Sequence, residues 1–157
     1  MKYIFITIFM IFVPINSSVP PKNAGEILVD KYFKLLHITK PEECAGLIVN
    51  PTTVCDKTQA NSTEEYLDYE HVFRFIQNLK SEDEDKKGSY PKPKVLRVCH
   101  GKLAGNQVNK GIIEVDVKLG NILTTLFGVR ENNSYNLFKL DFYNKPNIRD
   151  QCILPQL

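Results

Sequence analysis

Gly111-Ile112-Ile113-Glu114-Val115-Asp116-Val117-Lys118-Leu119-Gly120 is the stretch that decides the fold. Apolar and charged residues alternate through it, so Ile113, Val115, Val117 and Leu119 share one face of an extended chain. By the same period Glu114, Asp116 and Lys118 face water. Gly120-Asn121 fits a two-residue hairpin turn. The residues flanking such a turn share a face, which carries Ile122, Thr124 and Leu126 inward. A second turn at Glu131-Asn132-Asn133 leads into Tyr135–Tyr143, whose apolar set is Phe138, Leu140 and Phe142. Val95–His100 begins another strand upstream. The second half is therefore a meander of three or four long antiparallel strands.

Two of these strands are apolar on both faces, because Leu123, Phe127, Val129, Leu137 and Tyr143 oppose the core set. An antiparallel sheet usually keeps one face in water, so this patch requires a cover. A second subunit docked as a homodimer through the sheet face is the economical choice. The C-terminal tail and an early strand are the alternatives.

The first half reads as helices. Asn23 and Glu26 stand at capping-box distance, followed by a stripe of Ala24, Ile27, Leu28, Tyr32, Leu35 and Leu36. Thr39 and Glu42 flank Pro41, which predicts a short second helix from Pro41 to Ile48. Thr52-Thr53-Val54-Cys55 is β-prone but brief. Ser62 and Glu65 form a second capping box, predicting a third helix whose face carries Tyr66, Tyr69, Val72, Phe73, Ile76 and Leu79. The charged run Ser81–Pro93 reads as solvated loop.

Composition bounds the function. The chain has 157 residues, 43% hydrophobic and 24% charged, with a net charge of +2. That suits a single globular domain and excludes a disordered chain or a strongly basic nucleic-acid binder. Lys2, the apolar run Tyr3–Val13 and the exit Pro14-Ile15-Asn16-Ser17-Ser18 have the make-up of a secretory signal peptide. The run is too short to span a bilayer, so residues 1–18 are expected to be cleaved and residues 19–157 to form one secreted domain without a membrane anchor.

In an oxidising compartment Cys44, Cys55, Cys99 and Cys152 suggest two disulfides. Three pairings are open; the short local loop favours Cys44–Cys55, leaving Cys99–Cys152 to pin the tail. No CxxC occurs, so a metal site is not expected. Asn61-Ser62-Thr63 and Asn132-Asn133-Ser134 are glycosylation sequons, whereas Pro51 blocks Asn50-Pro51-Thr52.

No G-x-S-x-G or phosphate-cradling glycine loop is present. His100 shares strand parity with Leu96 and Val98 and is the single candidate for proton transfer inside the sheet; no carboxylate is placed beside it. His71 reads as partly exposed.

Helices first, then a curved meander: over residues 23–143 this order resembles the nuclear transport factor two-like fold, an α+β cone in which a bent sheet wraps N-terminal helices around an apolar cavity. Small secreted members are numerous in nematodes, and this chain looks like one of them. The resemblance implies either a binding protein or a lyase or isomerase that would use His100 and a tyrosine. The order is also similar to that of cystatins, which are protease inhibitors. Gln107-Val108-Asn109-Lys110-Gly111 approaches their Gln-x-Val-x-Gly loop, but valine follows glutamine directly and the chain has no Trp. The leading reading is a non-enzymatic carrier or interaction protein without cofactor, holding a small apolar ligand against Tyr69, Phe73, Phe138 and Phe142.

Overall fold

A computed structural model describes residues 21–82, 90–102 and 108–144. Helix α1 (Pro21–Leu36) is followed by a single 3-10 turn at Pro41–Cys44 and strand β1 (Ile48–Asp56). Strand β2 (Glu64–Leu67), helix α2 (Tyr69–Glu82), and strands β3 (Lys94–Lys102), β4 (Val108–Leu119), β5 (Ile122–Glu131) and β6 (Ser134–Tyr143) complete the order. The six strands form one sheet ordered β2-β1-β6-β5-β4-β3. Both helices lie on its inner face, giving an α+β architecture.

Helix α1 buries the expected stripe: Ala24, Leu28, Tyr32, Leu35 and Leu36 are all inaccessible to solvent. It begins at Pro21, ahead of the expected cap at Asn23, because a first-turn proline lacks only an N–H that would have no partner. Three features of the first half differ from expectation. The helix expected over Pro41–Ile48 stops after one turn: Gly46 takes a φ of 79° and redirects the chain into β1. The Glu43 carboxylate, not Glu42, caps this turn, accepting from Thr39 N–H at 2.6 Å and Lys40 N–H at 3.3 Å. Those two bonds hold its pKa below the ordinary value.

The brief β-prone segment is nine residues long. β1 runs parallel to β6, with Val54 opposite Leu140 and Cys55 opposite Asp141. The sheet is therefore mixed, not wholly antiparallel. Third, Glu64–Leu67 is strand, paired antiparallel to β1. Helix α2 starts after it, because β1 takes Glu64–Leu67 as a strand and Asp68 rather than Ser62 supplies the cap. Asp68 Oδ1 accepts the His71 N–H at 2.9 Å, and Asp68 O accepts the Val72 N–H at 2.9 Å.

The meander forms with the expected turns; Gly120, Asn132 and Asn133 take positive φ. The register of β3 against β4 shifts between Val95 and Arg97 and between His100 and Lys102, and parity also fails between β5 and β6. Between Phe127 and Gly128 the register shifts, so Phe127 faces Lys139 while Gly128 faces Leu137, leaving Phe138 as the extra residue of a β-bulge. Leu137 and Tyr135 consequently join Leu140 and Phe142 in the core, the reverse of the expected placing of Leu137 and Phe138.

Candidate functional site

The inner face is closed over most of its area. Leu28, Tyr32, Val115, Val117, Leu126, Leu140 and Phe142 fill the space between α1 and β4–β6. Tyr32 hydroxyl pairs with Thr124 Oγ1 at 3.1 Å, a polar contact enclosed by apolar side chains. Burial pushes the Tyr32 phenol well above its ordinary range, so it stays neutral. His100 pairs with Ile113 in the β3–β4 ladder; its side chain lies outside the described residues. His37 and His71 are exposed, and His71 serves the α2 cap.

The four aromatic residues expected to line a pocket do not converge. Phe142 is fully buried, with its ring 5.2 Å from Phe75. Tyr69 and Phe73 are half-buried on α2 and pack on the same core. Phe138 is on the other side of the sheet, 6.2 Å from the ring of Phe127.

Space opens instead where the β1–β2 hairpin faces α2. A cleft of about 190 Å³ is lined by Val54, Asp56, Gln59, Asn61, Thr63, Glu65 and Phe75. Phe75 and Val54 form its apolar wall; Asp56 and Glu65 supply two carboxylates. Asp56 is held by the hairpin, its Oδ1 accepting from Thr58 N–H at 2.9 Å. Asn61, the first sequon residue, is on the rim. Phase along α2 carried a usable signal for Phe75, which stands three residues after buried Val72. The carboxylates are brought together by strand β2, which the helical reading of Ser62–Glu65 concealed.

The outer face is polar in an ordered way. Arg97, Asp116, Thr125, Asp141, Cys55 and Glu64 form one row across all six strands. Arg97 binds Asp116, and Asp116 Oδ1 accepts from Thr125 Oγ1 at 2.7 Å. With its only proton committed there, the Thr125 hydroxyl accepts from Tyr143 Oη at 2.9 Å. Asp141 pairs with Lys57 at 2.9 Å, and Lys139 lies 3.4 Å from Glu64 and 5.5 Å above the ring of Phe127. The expectation that Glu114 and Asp116 face water fails: Glu114 is 1% exposed and Asp116 9%.

This geometry also overturns the Cys44–Cys55 bridge, since both are buried free thiols. Cys44 belongs to the inner core, its Sγ near Tyr69 O, whereas Cys55 lies in the outer row. Burial, helped by Glu43, pushes the Cys44 thiol up to about 11; burial and then Asp141 raise that of Cys55. Cys99 is buried in β3, and Cys152 lies outside the described residues. Among the described residues no cluster of acidic, His or Cys side chains can hold a metal, and no helix is long and apolar enough to cross a membrane.

No family model matches the chain, and no curated protein matches it in sequence. Solved structures do match in shape. An NTF-2 like protein of unknown function from Silicibacter pomeroyi aligns at a TM-score of 0.54 with 10% identity, over 79% of this chain and 95% of that one. An NTF2-like protein of unknown function from Methylobacillus flagellatus aligns at 0.51 with 8% identity, over 82% and 94%. An uncharacterised protein with a cystatin-like fold from Caulobacter vibrioides aligns at 0.51 with 13% identity, over 81% and 91%. The chain has the nuclear transport factor two-like fold.

Proposed function

We propose that this chain is a non-enzymatic binding protein whose ligand enters the cleft between the β1–β2 hairpin and α2. One observation carries the reading: two carboxylates, Asp56 and Glu65, stand over an apolar wall of Val54 and Phe75 in this cleft. That combination suits a small molecule with an apolar ring or short chain and a protonated amine. The packed inner face argues against the larger apolar ligand expected from the aromatic residues, because Phe142, Tyr32 and Leu28 already fill that volume. Export through residues 1–18 is part of the same proposal, and a glycan on Asn61 would then border the cleft.

Phenethylamine is a suitable probe, titrated by chemical-shift mapping and calorimetry. Shifts are expected at Val54, Asp56, Glu65 and Phe75. Glu65→Gln should weaken binding about tenfold or more, the scale of one lost charge-assisted hydrogen bond. Shifts confined to α1 and β4–β6, or affinity indifferent to Glu65→Gln and Phe75→Ala, refute this site.

A further inference from the structure

We propose that the edge of β3 is a docking site for a partner protein, which adds an extended segment of alternating apolar and acidic residues as a further strand of the sheet. The site is independent of the ligand cleft, because β3 stands at one end of the strand order and β2 at the other.

The first observation is apolar exposure. Among the described residues the exposed large hydrophobic side chains are Tyr66 and three neighbours on β3: Val95 at 42%, Leu96 at 49% and Val98 at 40%. Val95 pairs with Val117 and Val98 with Val115, so both valines belong to the inner face, yet their β4 partners are fully buried. Helix α1 makes the difference, since it packs on β4, β5 and β6. It comes beside β3 at Gly25, where a Cβ would stand 3.1 Å from Val98 Cγ2, and covers the valines only in part. Leu96 is the extra residue where the register shifts between Val95 and Arg97.

Edge strands are ordinarily blunted by shortness, inward-pointing charge or a covering element. β3 is nine residues long, these inward positions hold valine, and its bulge presents leucine. Such an edge is a template for strand addition, with main-chain hydrogen bonds for affinity and alternate side chains for specificity.

The second observation is charge, and it identifies the occupant. Lys94 stands directly opposite Lys118, a like-charge pair that costs stability. Both are exposed. Arg97 binds Asp116 and Lys92 binds Asp30, whereas Lys94 and Lys118 have no carboxylate partner among the described residues. β3 itself carries Lys94, Arg97 and Lys102 and no Asp or Glu. A second copy would bring the same basic residues to this edge, the arrangement by which lysines keep like edges apart. A strand with Asp or Glu beside Lys94 relieves the repulsion instead. Its acidic residues then face Lys94 and Lys118 on one side of the sheet, and its apolar residues extend the row of Val95 and Val98 on the other.

The probe is acetyl-Asp-Val-Asp-Val-Asp-Val-amide, titrated into the full chain by amide chemical-shift mapping, with fluorescence polarisation of a labelled copy. Shifts centred on Lys94–Val98 are expected, and the same peptide with Lys in place of Asp should bind about fivefold or more weakly. Lys94→Glu should reverse that preference; should the variant not fold, the two peptides still decide on the wild-type protein. Methylating one alternate set of peptide amides should abolish binding, and methylating the other set should leave it. Equal binding of the two peptides, an unchanged preference in folded Lys94→Glu, indifference to both methylated sets, shifts confined to the cleft, or no binding refutes the site. Shifts at β3 that appear with rising protein concentration alone, together with sedimentation as a dimer, give the edge to a second copy and overturn the proposal as well.

Discussion

Arg97 grips a single oxygen of Asp116 with two nitrogens, Nε at 2.8 Å and Nη2 at 2.7 Å from Oδ2, leaving Oδ1 to Thr125. The pair connects β3, the edge strand, to β4, and the Thr125 contact extends it to β5. Because the side chains are 28% and 12% exposed, the pair is partly shielded from water. Removing one partner strands the other.

Arg97→Ala should therefore destabilise the fold by about 2–3 kcal/mol, below the 3–5 kcal/mol typical of fully buried pairs. A double-mutant cycle with Asp116→Ala should give a coupling energy of about 1–3 kcal/mol in urea unfolding. Additive effects in that cycle would mean the pair contributes nothing beyond its separate side chains.

Tyr32 and Thr124 offer a second test inside the core. Tyr32→Phe removes the hydroxyl and leaves Thr124 Oγ1 without this buried partner, at a cost of about 1–2 kcal/mol. The double change Tyr32→Phe with Thr124→Val should recover part of that loss, since both polar groups then leave together. A phenol whose folded pKa is raised favours the folded state below its ordinary value of 10.0 and disfavours it above. Spectroscopic titration should find one tyrosine that ionises only with alkaline unfolding, and Tyr32→Phe should soften the loss of stability above pH 10.0.

How much was legible in the sequence depended on whether the signal was local. The α1 stripe and the Gly111–Gly120 alternation depend only on near neighbours, and both elements sit where their periods put them. The parallel pairing of β1 with β6 joins segments about eighty residues apart, and nothing in Ile48–Asp56 records its partner. The bulge at Phe138 is equally silent: one extra residue inverts the faces of everything before it, so a strict period of two misplaced both Phe138 and Leu137. Helix α2 was misread for a different reason, competition between two local signals. Ser62 with Glu65 makes a good capping box, but Asp68 makes a cap too, and β1 recruits Glu64–Leu67 as a strand. The cleft depended on that choice, because it is β2 that sets Glu65 opposite Val54.

The Asp68 cap predicts an acid-sensitive α2. Its carboxylate is held below the ordinary 3.8, first by the His71 N–H and then by the His71 ring. A depressed folded pKa stabilises at pH values above 3.8 and loses that contribution as pH falls through the folded value. Asp68→Asn keeps an acceptor for the His71 N–H but does not titrate. Its stability should follow a flatter acid limb than wild type below pH 4, whereas Asp68→Ala should lower stability at neutral pH as well. Identical acid limbs for Asp68→Asn and wild type would remove Asp68 from the account.

Gly128 governs how closely α1 approaches the sheet. A Cβ there would lie 2.4 Å from Leu28 Cδ1 and 2.5 Å from Cδ2, well inside contact distance. Leu28 is fully buried, so it has little room to turn away. Gly128→Ala should destabilise by about 1–3 kcal/mol through overpacking at the middle of α1. Leu28→Ala alone leaves a cavity and should cost about 2–5 kcal/mol. Combined, each change removes part of the other's defect: the new methyl occupies space the leucine vacated. The double variant should thus be more stable than the sum of the single losses predicts, by about 1 kcal/mol or more, in chemical denaturation. Strict additivity would place Leu28 and Gly128 out of contact and would require α1 to sit farther from β5 than the packed inner face allows.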